Sequence, residues 1–181
     1  MSVFSEQNPL RLRKPALSDG PRIWRLVRSC RNMDLNSLYS YLLLCSHFRN
    51  TCVVAEADSE IVGFVSAYKP PNERGVLFVW QIVVREESRG RGLAKRMLAQ
   101  ILRSSSCGNI RYLKTTVSPA NQASKALFLS MARELGAACA EEPLFPADLF
   151  EDQAHEEENL LLIGPFNDHK ARRKEGKDEG P

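Results

Sequence analysis

One stretch constrains this chain more than any other: VLFVWQIVVREESRGRGLAKRML, residues 76–98. A β-type apolar run passes into an arginine- and glycine-rich turn, and the turn passes into a helix. The apolar positions Leu93, Ala94, Met97, Leu98, Ile101 and Leu102 form one stripe of that helix. Gly90 and Gly92 permit backbone angles that side chains forbid, so consecutive N–H groups can point at one spot. The helix start adds the positive end of its dipole. Arg89, Arg91, Lys95 and Arg96 add full charges. The pattern describes a cradle for a phosphate. It is not a Walker A loop, because G-x-x-x-x-G-K-[ST] is absent. Nor is it a dinucleotide turn: Lys95 stands where the third glycine belongs, and no acid follows about 20 residues on.

The flanking segments set the order of elements. LRLRKP reads as a short strand. SDGP starts a helix, with Ser18 or Asp19 as cap, Pro21 in the first turn, and Ile23, Leu26, Val27 and Cys30 on one face. A second helix follows, capped by Ser37, with Leu38, Tyr41, Leu42 and Cys45 at the same spacing. TCVVAEA, IVGFVSAYK and VLFVWQIVV, joined by turn-like DSE and PPNERG, predict an antiparallel meander. IRYLKTTV is a further strand. SPANQASKALFLSMAREL is a helix, with Ser118 expected as cap and Gly136 past its end. NLLLIGPF is the last strand expected. Residues 1–9 read as a flexible start, 10–166 as one domain, and 167–181 as a charged, disordered tail.

Composition excludes several classes. A content of 43% hydrophobic and 26% charged residues is ordinary for a soluble domain, and no apolar run approaches the roughly 20 residues of a membrane span. MSVFSEQNPL lacks the basic-then-apolar pattern of a secretory leader, so a cytoplasmic protein is expected. Five scattered cysteines and three histidines fit no metal spacing, and no metal is expected. Charge is segregated: Ser88–Arg133 holds nine Lys or Arg and no acid, while Glu134–Glu158 holds nine Asp or Glu and no base. The two blocks either pair on the surface or face an anion and a cation separately. The interleaved acids of the tail argue against nucleic-acid binding.

RGRGLA, Arg89 to Ala94, fits R-x-x-G-x-G/A and resembles the pyrophosphate loop of the Gcn5-related N-acetyltransferases. The order of elements is similar to that superfamily's over residues 10–166. The resemblance implies an α/β fold of mixed, mostly antiparallel sheet, with helices on both faces and a fourth strand splayed from the fifth. It implies acetyl-CoA as cosubstrate, held by Arg89, Gly90, Arg91, Gly92, Leu93 and Ala94. Asn121 would meet the pantetheine arm, and backbone groups of Ile82, Val83 and Val84 would bond its amides. One departure stands out. Many relatives carry a tyrosine in the helix after the asparagine to protonate the leaving thiolate, where this chain has Phe128.

The acceptor side is carried by MDLNSLYSYLLLCSHFRNTCVVAE, VGFVSAY and LFVWQIVV, which resemble the L-2,4-diaminobutyrate acetyltransferases of ectoine biosynthesis. That narrower family implies a small diamino-acid substrate, Nγ-acetylation by direct transfer in a ternary complex, a homodimer and a salt-stressed host. Selectivity for one nitrogen requires anchoring of the α-amino and carboxylate groups. Asp34 suits an ammonium, Asn36 and Ser37 a carboxylate, and Tyr39 and Trp80 the pocket wall. Glu158, with His155 three residues before it, suits an amine, as general base with Asp34 second. Each has a plainer reading: Ser37 as a helix cap, Tyr39 as packing, Trp80 as core, His155 as surface. Two other functions stay open at this point. One is acetylation of a different amine, such as a polyamine or aminoglycoside, and the other is a non-catalytic acyl-CoA sensor.

Overall fold

The structure is a computed structural model that describes residues 9–30, 33–151 and 155–167. Nearly all of the expected flexible start and charged tail therefore lies outside the described residues. Seven strands, β1 (Arg11–Arg13), β2 (Val53–Ala57), β3 (Glu60–Tyr68), β4 (Val76–Val84), β5 (Tyr112–Val117), β6 (Cys139–Phe145) and β7 (Glu158–Ile163), form a sheet ordered β1-β2-β3-β4-β5-β7-β6. Four helices join them: α1 (Gly20–Ser29), α2 (Leu38–Ser46), α3 (Leu93–Arg103) and α4 (Gln122–Leu135). Pairing is antiparallel for β1–β2, β2–β3, β5–β7 and β6–β7, and parallel for β4–β5. This is the mixed α/β architecture that the family resemblance implied.

The chain divides into two compact units, with the boundary falling inside β3 and β4. One holds the described residues up to Ser66 together with Gln81–Ile101. Its core joins Ile23, Leu26 and Val27 of α1 and Tyr41, Leu44 and Cys45 of α2 to Val54, Phe64 and Val83 of the strands. Neighbouring strand residues point to opposite faces, so Gly63 turns away from Phe64. A Cβ built on Gly63 would lie 3.0 Å from Met97 Cε, which puts α3 on the face opposite α1 and α2. Each fully buried large apolar side chain stabilises the fold by about 2 kcal/mol.

The α1 cap falls on one of the two residues expected for it. Asp19 is its N-cap residue, but its carboxylate makes no cap bond. It is buried, and accepts instead from Arg13 Nη1 at 2.6 Å, Arg22 Nη1 at 3.1 Å and the Ala16 N–H at 2.8 Å. Glu56 joins the cluster through Arg13 Nε at 3.0 Å. Burial pushes the Asp19 carboxyl up, but the Arg13 bond, the Ala16 N–H and Arg22 together hold it below its ordinary value. Glu56 is lowered chiefly by its bond to Arg13.

The second unit holds Ala67–Trp80 and the described residues from Leu102 on. Phe128, Met131, Ala132 and Leu135 of α4 and Leu160, Leu161 and Ile163 of β7 are buried there, and α4 packs on β7. Two of its features differ from the sequence reading. The N-cap of α4 is Asn121, whose side-chain oxygen accepts the Ser124 N–H at 3.1 Å, rather than Ser118. Gly136 ends α4 in the left-handed conformation, as expected. β6 is a strand that sequence periodicity missed. Every residue but Cys139 is exposed, and Glu141, Glu142 and Pro143 interrupt any alternation. It sits at the sheet edge, where proline is tolerated.

Candidate active site

The turn after β4 has the geometry an anion requires. Residues Glu86–Ser88 make a single 3-10 turn, with Ser88 N–H to Arg85 C=O at 2.9 Å and Arg89 N–H to Glu86 C=O at 3.1 Å. Gly90 and Gly92 follow at φ +74 and +69, and a Cβ built on either meets no atom within 4 Å. The loop therefore opens outward, and its glycines serve backbone conformation rather than close packing. Arg96 N–H bonds to Gly92 C=O at 3.0 Å, the first link of α3. Arg89 and Arg91 are exposed, and Arg89 Nε is held by the Val84 carbonyl at 3.1 Å, which orients its guanidinium beside the loop. In the same unit a cavity of about 810 Å³ has mixed charge on its walls, with Arg22, Arg25, Arg85 and Arg89 beside Glu60, Glu86 and Glu87. These features suit a diphosphate: two left-handed glycines in open space, a helix start and two exposed guanidinium groups.

The donor strand runs beyond its parallel partner. The β4–β5 ladder covers Val76–Val79 with Tyr112–Thr115, and β4 continues to Val84. Ile82, Val83 and Val84 lie on that extension. Trp80, at its start, is 47% exposed on a strand in mid-sheet, so it is not the core residue that a central position would suggest.

The residues of the first unit expected on the acceptor side, Asp34, Asn36, Ser37 and Tyr39, run from the segment before α2 into its first turn. Asp34, Ser37 and Tyr39 are exposed, Tyr39 at 68%, and Asn36 is half-buried. Ser37 caps α2, its Oγ accepting the Ser40 N–H at 3.3 Å and lying 3.0 Å from Ser40 Oγ. The plainer reading of Ser37 thus holds structurally, while its hydroxyl proton can still be donated. One residue that sequence reasoning did not single out ties this segment down. Gln81 Nε2 donates to the Asp34 carbonyl at 2.9 Å, and Gln81 Oε1 accepts from Tyr41 Oη at 3.1 Å. The available signal was a lone amide within the apolar run VLFVWQIVV.

In the second unit, Glu158 opens β7 opposite Phe145. Its Oε1 lies 3.9 Å from His155 Nε2, and both side chains are mostly buried. His155 stacks on Phe150 with ring centroids 4.0 Å apart. Glu156 accepts the Ala120 N–H at 3.1 Å, just before Asn121. Asn121 spends one lone pair of its oxygen on the α4 cap, and its amide nitrogen can still donate to a ligand. Among the described residues no group of His, Cys, Asp and Glu is arranged to hold a metal ion.

The model of the acetyltransferase (GNAT) family matches residues 21–132, the span that contains this loop and the elements on either side of it. The chain belongs to the GNAT acetyltransferase family. Within that family it is 48% identical to the L-2,4-diaminobutyric acid acetyltransferase of Bordetella parapertussis, over 92% of this chain and 91% of the relative. It is 44% identical to the enzyme of the same name from Streptomyces avermitilis, over 87% and 89%. Among solved structures it resembles diaminobutyrate acetyltransferase EctA from Paenibacillus lautus in complex with its substrate L-2,4-diaminobutyric acid and coenzyme A. There the TM-score is 0.85 at 41% identity, covering 88% of this chain and 96% of that one. For a GNAT acetyltransferase Phe128 is a notable position: it is 2% exposed and carries no hydroxyl.

Proposed function

We propose that this protein transfers the acetyl group of acetyl-CoA to the γ-nitrogen of L-2,4-diaminobutyrate, the acetylating step of ectoine biosynthesis. The likeness to EctA bound to that amino acid and coenzyme A, at 41% identity over nearly the whole chain, carries this reading. Acetyl-CoA is a substrate, supplying an acyl thioester and two phosphate-bearing groups. Arg89, Arg91 and the backbone from Gly90 to Ala94 bind its diphosphate, and the amide nitrogen of Asn121 meets the pantetheine arm. The β4 backbone from Ile82 to Val84 bonds the pantetheine amides, and one N–H there polarises the thioester carbonyl as the amine attacks.

The acceptor is cationic, in keeping with the acids after Glu134. Asp34 takes the α-ammonium, Asn36 and Ser37 at the start of α2 take the carboxylate, and Tyr39 and Trp80 wall the pocket. These anchors leave only the γ-nitrogen within reach of the thioester. An ammonium cannot attack, so a proton must leave first. Glu158, held near His155, removes it. Residues 10–166 act as one catalytic domain, in a cytoplasmic homodimer.

Thiol release from acetyl-CoA tests the reading. Turnover should be strong with L-2,4-diaminobutyrate and weak with ornithine, lysine and spermidine. Preference for spermidine or lysine would discard the acceptor assignment, and tight CoA binding without turnover would favour a sensor.

A further inference from the structure

The Gln81 amide is 8% exposed on a strand otherwise made of apolar residues. Its two ends face different partners. The Asp34 carbonyl can only accept, so it must face Nε2, which leaves Oε1 for the Tyr41 hydroxyl. The orientation of the amide is therefore dictated by its neighbours. Tyr41 is fully buried and packs edge-on against Phe64, with ring centroids 6.4 Å apart at 66°. A rigid phenol thus aims the amide, and the amide holds the backbone at Asp34. The segment it holds, 34–39, carries every acceptor anchor of the first unit, while Gln81 itself is one residue before Ile82 on the donor strand.

We infer that Gln81 is a positioning residue of the acetyl transfer. It registers the acceptor segment against the donor strand through the Asp34 carbonyl, with Tyr41 setting its direction. The inference rests on the functional reading above. Gln81 needs no contact with substrate to act. A loop freed from β4 still folds, but it holds the α-amino and carboxylate groups less tightly, and the γ-nitrogen loses its advantage over the α-nitrogen.

The test combines kinetics, product analysis and thermal melting on Gln81→Leu, Gln81→Glu, Tyr41→Phe and the double variant Tyr41→Phe/Gln81→Leu. Gln81→Leu is expected to raise the diaminobutyrate KM about tenfold, to leave the acetyl-CoA KM unchanged and to increase the share of Nα product. Gln81→Glu keeps the acceptor for Tyr41 but points a carboxylate at the Asp34 carbonyl, so its loss should be larger. Tyr41→Phe should give a smaller loss alone and none further in the Gln81→Leu background, because it acts through the amide. Two results overturn the inference: folded Gln81 variants with unchanged diaminobutyrate KM and product ratio, or equal increases in both KM values. A wild-type protein inactive on diaminobutyrate overturns the functional reading itself, and the inference with it.

Discussion

Arg89 and Gly92 do different work in the same turn. Arg89 lends charge, aimed by its bond to the Val84 carbonyl. Gly92 lends a φ of +69 in open space, so a side chain there is strained by about 1–2 kcal/mol without any clash. Arg89→Ala and Gly92→Val should each raise the acetyl-CoA KM about tenfold or more, measured at saturating diaminobutyrate, while the proteins stay folded. Unchanged kinetics in both would remove the loop from the cofactor site. Glu158→Gln should lower kcat/KM for the amine about a hundredfold with acetyl-CoA binding intact by calorimetry. At this scale the charged and glycine positions were legible, because their chemistry is local to the sequence. Gln81 was not, since its role depends on Tyr41 and the Asp34 carbonyl, which folding alone brings to it.

Helices with a clear apolar stripe and a flanking breaker could be read from the chain, and α1, α2 and α3 begin within a residue or two of their expected starts. The start of α4 was read too early. Ser118 and Asn121 are both good caps, and Pro119 favoured the first. The backbone instead turns once more, with Asn121 N–H on Ser118 C=O at 3.0 Å, before the helix begins. Asn121→Ala should therefore destabilise the protein by about 1 kcal/mol in urea unfolding, and Ser118→Ala should change it far less. The reverse order would return the cap to Ser118. β6 escaped the sequence because an edge strand exposed on nearly every residue need not alternate. Its partner β7 supplies the hydrogen bonds that define it, and Lys125 of α4 reaches its Glu141 at 2.7 Å.

Across the molecule, charge sets both stability and reactivity. Lys125–Glu141 joins the basic and acidic blocks, while Arg89 and Arg91 stay exposed at the loop, so the blocks do not simply cancel. Asp19 and Glu56 both have lowered pKa values in the folded state. A carboxylate lowered on folding contributes stability that is present above its unfolded value, about pH 4, and lost as pH falls through the folded one. Urea midpoints should therefore fall as pH drops from 5 to 3, and Glu56→Gln should flatten that slope. A midpoint independent of pH over this range would deny the cluster its role. Burial pushes the Cys45 thiol up to about 11, in line with cysteines that serve as core rather than as nucleophiles. The central claim is that one nitrogen of one diamino acid is acetylated, and NMR of the product formed from L-2,4-diaminobutyrate and acetyl-CoA tests it most directly. An acetyl group on the γ-nitrogen alone is the predicted result, whereas α-acetylation or a mixture from the wild-type protein would contradict it.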